Sequence, residues 1–183
     1  LIDLAETGAF VVVLDDVRVT ASLDLLGQQY FSELGKNARL RAEREMANQV
    51  NWPPELATEK KPEVAEIRHK EGDLFQQRRL ILNQQIEILS RQSTEAGAEA
   101  DATERQVQAD RSGSRTVRDE AQANRALLDK GFISPTRMLA LDRAEADYAS
   151  RLAEHEADLA RAKQKQSDLK FRIEGLRNTY RET

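Results

Sequence analysis

The chain has 183 residues, 33 % of them charged and 5 % aromatic, with 8 Gly, 4 Pro, no Cys and a formal net charge of −4. That excludes disulfides and cysteine-based metal sites, and the interleaved charge signs argue against a dedicated nucleic-acid surface. The longest apolar run, AFVVVL at 9–14, is far below the roughly 18–20 residues needed to span a bilayer.

Long, breaker-poor stretches of Ala, Leu, Gln and mixed charge fit extended helices or coiled coil, and apolar periodicity separates these from disorder. Two isolated histidines, no Gly-rich phosphate loop and no cysteine leave little for catalysis, so no enzyme, cofactor or metal is expected. The chain begins at Leu1 without a visible signal peptide, and it reads as a piece of a larger protein. The absence of cysteine suits the periplasm and the cytoplasm equally.

Residues 1–15, LIDLAETGAFVVVLD, are strand-like, because Val11, Val12 and Val13 are β-branched and follow Gly8. A lone strand needs sheet partners elsewhere. A helix is predicted over 16–49, with Asp15 or Asp16 able to cap it and Val19, Leu23, Leu26, Tyr30, Leu34 and Leu40 in helical rhythm. NWPPEL at 51–56 ends it, since two prolines remove backbone donors and clash with a continuing helix; 50–61 is expected to be a loop. Pro62 suits the first turn of a second helix over 62–129.

Within that helix, LFQQRRLILNQQIEIL at 74–89 carries an apolar surface wider than one seam, which predicts contact with two neighbouring helices. Residues 95–116 are thin in large apolar groups, and Ser112-Gly113-Ser114 predicts a local bend or fray. A third helix over 135–181 has the clearest pattern. Tyr148, Leu152, His155, Leu159, Ala162, Gln166, Leu169, Ile173, Leu176 and Tyr180 alternate spacings of four and three, a heptad seam that disorder would not produce. His155 and Gln166 are polar seam residues that set register; His155 has no second metal ligand nearby.

A short turn between two such helices makes an antiparallel hairpin. The expected fold is all-α: a long antiparallel coiled-coil hairpin over 62–182 with its tip at 130–135. The 16–49 helix packs beside the base against 74–89, and a short β-like segment occupies 1–15. At 1.5 Å per residue the second helix is on the order of 100 Å long and the third about 70 Å, so either the second breaks or the third continues past Thr183.

The turn itself, LLDKGFISPTRML at 127–139, can be read position by position. Gly131 fits the left-handed C′ site of a helix cap, which makes Phe132 C″ and Leu127 C3 of a Schellman motif. Ser134 fits the N-cap of the next helix with Pro135 at N1, and Ile133 with Met138 form a hydrophobic staple. Two caps account for the spacing. They account less well for a large aromatic at the end of a thin rod, where exposed apolar groups often mark a contact surface.

Three segments resemble the periplasmic membrane fusion proteins, or adaptors, of the HlyD type from bacterial type I secretion systems. GAFVVVLDDVRVTASLDLL at 8–26 is similar to the end of a lipoyl half-motif entering a helix. VNWPPEL with EIRHKEGDLFQQRR is similar to the family's Pro-Pro loop and long helix, and LLDKGFISPTRMLALDRAEADY at 127–148 to its hairpin turn. The resemblance implies a 1–15 lipoyl remnant and a periplasmic location, with an inner-membrane anchor outside this chain. It also implies assembly as a homo-oligomer that bridges an inner-membrane ABC transporter to a TolC-like outer-membrane channel. In such proteins the tip touches the channel through an Arg–Leu–Ser motif. Leu127 or Leu128 and Ser134 match its Leu and Ser; Ala123 stands where the Arg is expected, leaving Arg125 or Arg137 for that role. Gly131, Phe132 and Ile133 complete the implied docking tip. A coiled-coil scaffold unrelated to secretion is the alternative, and the entry GAFVVVLDD and the tip GFIS discriminate against it.

Overall fold

The computed structural model describes residues 17–182. Its elements are α1 (Ile2–Arg44), α2 (Pro54–Thr58), α3 (Pro62–Leu128) and α4 (Pro135–Glu182). The β-like segment expected over 1–15, and the Asp15 or Asp16 cap, lie outside the described residues; no strand occurs among those described. The chain divides into two units, Leu1–Gln84 with Leu176–Thr183, and Gln85–Gly175.

In the first unit α1 stops at Arg44, short of the expected 49. The Met46 amide donates to Glu43 O at 3.0 Å and the Ala47 amide to Ala42 O at 2.9 Å, the paired bonds of a Schellman cap. Met46 therefore takes a left-handed φ of 54°, which glycine usually occupies. Arg79 of α3 secures the turn by donating to the Ala47 carbonyl and to Asn48 Oδ1.

The expected loop at 50–61 contains α2, and its Leu56 is completely buried. Trp52 lies over Gly72, and Arg68 donates to Ala57 O at 2.9 Å, so this returning segment covers one face of α3. α1 runs parallel to α3 on another face: Gly35 meets Ile67, Arg39 meets Glu71 and Glu43 meets Arg78. Leu56, Val64, Phe75 and Leu82 are the bulk of the core, with Ala38 and Ala42 of α1.

At the level of 74–89 two helices do approach α3, since Arg78 meets Glu43 of α1 and the Tyr180 ring of α4, yet the apolar surface is only partly covered. Phe75 and Leu82 are buried, but Leu74, Leu80 and Ile81 remain 38–58 % exposed. The reason is register. α1 contacts α3 through Ile67, Glu71 and Arg78, the Pro-rich segment with α2 covers another face, and the end of α4 adds Tyr180, which leaves Leu74, Leu80 and Ile81 outside all three.

A charged network lies inside this unit. Arg39 donates through Nε to Glu71 at 2.7 Å and through Nη1 to Glu43 at 2.8 Å, while Arg78 reaches the other Glu43 oxygen at 3.4 Å. Glu43 is 1 % exposed. Burial alone would lower the Arg39 pKa, but the hydrogen bonds it donates to Glu71 and Glu43 outweigh it and hold the guanidinium above its ordinary range. Tyr180 of α4 stacks against Arg78 with 5.8 Å between guanidinium and ring centre. Burial, then the Glu43 charge, pushes the Tyr180 phenol up.

In the second unit α3 and α4 pack antiparallel. The α4 seam from Tyr148 to Ile173 is buried or half-buried at every expected position, and Met138 and Leu141 extend it towards the turn. Its partner line on α3 is Ser93, Ala96, Ala100, Thr103, Val107, Asp110, Ser114, Val117, Ala121, Asn124 and Leu128, again alternating three and four. These are mostly small residues, so the two backbones approach closely where α4 is bulky.

The expected bend at Ser112-Gly113-Ser114 is absent, and α3 is one continuous helix through it. Gly113 is a socket: a Cβ there would stand 2.7 Å from Tyr148 Cζ. Gly97 likewise seats the Gln166 amide. His155 Nδ1 meets Asp110 Oδ2 at 2.6 Å, a polar layer within the seam. Flanking charges close both sides, with Arg111–Glu156 at 2.6 Å, Arg118–Glu145 at 2.9 Å, Glu104–Lys163 at 3.4 Å and Glu99–Lys165 at 3.6 Å.

Candidate partner-docking tip

At the end of α3 the Gly131 amide donates to Leu128 O at 2.9 Å and the Phe132 amide to Leu127 O at 2.9 Å. Gly131 has φ 75°, the left-handed conformation that the Schellman cap needs. Ser134 then opens α4. Its Oγ accepts from the Arg137 amide at 3.3 Å, and its carbonyl accepts from the Arg137 and Met138 amides at 3.0 and 3.4 Å. Ala121, Met138 and Leu141 form a small buried cluster beneath the turn, with Leu128 packed against it. The turn is thus held by its own backbone and a miniature core.

Phe132 takes no share of that core. It is 75 % exposed, beside Leu127 at 40 %, while Ile133 is half-buried. Leu139 on the first turns of α4 is 50 % exposed, an apolar group that reading the turn motif alone passed over. Its position two residues beyond the motif Arg137 was the available signal.

The two candidate arginines are both engaged across the hairpin. Arg125 Nη2 lies 3.4 Å from Asp142 and Arg137 Nη2 2.6 Å from Glu120, with all four side chains largely in solvent. Ala123 is exposed. The tip therefore presents one bare aromatic ring, flanked by aliphatic groups and braced by two exposed ion pairs. Among the described residues no His, Cys, Asp and Glu group could hold a metal, and no helix is long and apolar enough to cross a membrane.

Fold and tip together define a class: a long antiparallel helical hairpin presenting a capped apolar turn. The family described as "AprE, long alpha-helical hairpin" matches residues 19–183, and the chain belongs to it. Among solved structures, the soluble domain of LipC, described as a membrane fusion protein of a type I secretion system, superposes with a TM-score of 0.79. It is 24 % identical, over 89 % of this chain and 77 % of that one, a likeness of fold. No curated protein matches.

Proposed function

We propose that the chain is the helical part of a periplasmic membrane fusion protein. It would link an inner-membrane ABC transporter to a TolC-like outer-membrane channel for type I protein secretion, as a homo-oligomer anchored to the inner membrane outside this chain. Membership of the hairpin family and the likeness to the LipC domain support the class of protein. The observation that carries the docking role is Phe132. Both caps are complete in the backbone, yet the ring stays 75 % exposed, so capping does not account for it.

In this reading Phe132 and Leu127 supply apolar contact, half-buried Ile133 adds to it, and Leu128 holds the turn from beneath. Gly131 and Ser134 give it its shape. Leu127 is preferred over Leu128 as the docking leucine, because Leu128 packs against the buried cluster. Arg125, held at the longer distance, is released to a partner more readily than Arg137.

The test is site-specific photocrosslinking in cells with the probe replacing Phe132 in the full-length protein, together with Phe132→Asp. The expected outcome is a crosslink to an outer-membrane channel, and loss of cargo export by Phe132→Asp with helix content unchanged. Capture of cytosolic proteins alone, with export intact, would favour a scaffold unrelated to secretion.

A further inference from the structure

The second unit carries a charge pattern that its own ion pairs do not exhaust. In the half away from the turn, residues 85–104 of α3 hold five acidic groups and one basic, and residues 161–175 of α4 opposite them hold five basic and two acidic. In the half next to the turn the signs exchange. Residues 105–128 of α3 hold five basic groups and three acidic, and residues 135–160 of α4 hold six acidic and three basic. Both exchanges fall at one level, where Glu104 meets Lys163.

Closing the hairpin explains part of this, through Glu99–Lys165, Glu104–Lys163 and Arg111–Glu156. Outside those pairs, Glu95 and Asp101 of α3 and Lys170 of α4 keep the signs of the first half, and Arg105, Arg115 and Glu154 keep those of the second; all are exposed. Two apolar groups are exposed as well. Phe171, 75 % exposed, sits midway between the seam residues Leu169 and Ile173 and so faces away from α3, and Ile88 of α3 is 53 % exposed. A ring left bare on the back of a helix marks a contact surface.

Charge selects what covers these faces and how it is turned. With tips level, α3 beside α3 of a second copy, or α4 beside α4, sets like charges together in both halves, whereas α3 beside α4 sets opposite charges together in both. With tips reversed, α3 beside α4 repels in both halves and only like faces attract. Copies anchored in one membrane stand with tips level; this step rests on the proposed function, and it leaves one arrangement. Each copy then offers α3 to one neighbour and α4 to the other, a heterologous contact that closes as a ring. A closed ring has no rise from copy to copy, so levels match those inside the hairpin, where Gln166 seats at Gly97. Phe171 therefore lies about 6–7 Å along the axis from the neighbour's Ile88, a span its ring can bridge.

We infer that the outward face of α3 docks on the outward face of α4 of the next copy, tips level, with Phe171 against Ile88 and complementary charge along both halves.

Crosslinking of the full-length protein in intact cells tests it, with the unsubstituted protein as control. Ala98 and Gln164 are exposed and uncharged, lie midway between seam residues of α3 and α4, and stand at nearly one level. With a short bismaleimide, Ala98→Cys or Gln164→Cys alone should give no crosslinked pair. The double variant should give a ladder of dimers, trimers and larger species, which Phe171→Asp reduces several-fold with helix content unchanged. Pairs formed by either single variant mean that like faces meet, and they overturn the proposal, as does a double variant without a ladder. A ladder indifferent to Phe171→Asp overturns the apolar contact. Capture of the channel from Phe132 without a ladder overturns the packing alone; a ladder without channel capture upholds the packing and overturns the docking role of the tip.

Discussion

Phe75, Leu56 and Leu82 in the first unit bury large side chains, and Arg39 and Glu43 are buried beside them. In the second unit the buried α3 line that faces α4 is mostly small, with Ala96, Ala100, Ser114 and Ala121 around Val107, and the ion pairs stand outside it in solvent. The first unit gains stability from apolar area and carries a charged network that must stay complete. The second unit gains little per residue and depends on fit: small residues against large, two glycine sockets, one polar layer. The two units thus hold together by different physics, and substitutions should separate the two modes.

The largest effect is expected from Glu43→Ala. It leaves Arg39 buried with only Glu71 opposite, and removing one partner of a buried pair costs about 3–5 kcal/mol. Thermal or urea unfolding of the chain measures it. A loss below about 1 kcal/mol would mean that water reaches the network and screens it as it does an exposed pair.

Gly113→Ala probes the fit of the second unit. In an open helix the change stabilises by about 1 kcal/mol. Here the new Cβ meets the Tyr148 ring, and a net loss of about 1–3 kcal/mol is expected. Adding Tyr148→Ala should return most of the helix-propensity gain, so a double-mutant cycle on the melting curves isolates the contact. Stabilisation by Gly113→Ala alone would show an empty socket.

The smallest effect belongs to Arg111→Ala. Its pair with Glu156 is short but about half exposed on both sides, so the loss should be no more than about 0.5 kcal/mol and should vanish in high salt. A larger, salt-resistant loss would put the flanking charges on the same footing as the buried network of the first unit.

The heptad seam of α4 was legible in the sequence because most of its members are large and apolar, and both caps at the tip were legible because Gly131, Ser134 and Pro135 have few other uses in that order. The α3 line was not. Ser93, Ala96, Thr103 and Ser114 obey the same alternation, but small polar residues carry no hydrophobic signal, and the stretch read as thin and bent. α2 was missed for a related reason: two prolines announce an interruption without saying that one turn of helix follows and buries Leu56. At the candidate site, the sequence singled out Phe132 but could not say whether the ring was covered, and it could not pair Arg125 with Asp142 or Arg137 with Glu120.

The sequence by itself determined the long helices, the position of the turn and the inward face of α4, because these follow from local propensity, capping chemistry and the period of large apolar groups along the chain. Only the tertiary structure decided that Gly113 is a socket rather than a hinge, that Arg39 and Glu43 are interior, and that Phe132 is bare. Each depends on which atoms a second helix brings within a few ångströms, and no single helix carries that information.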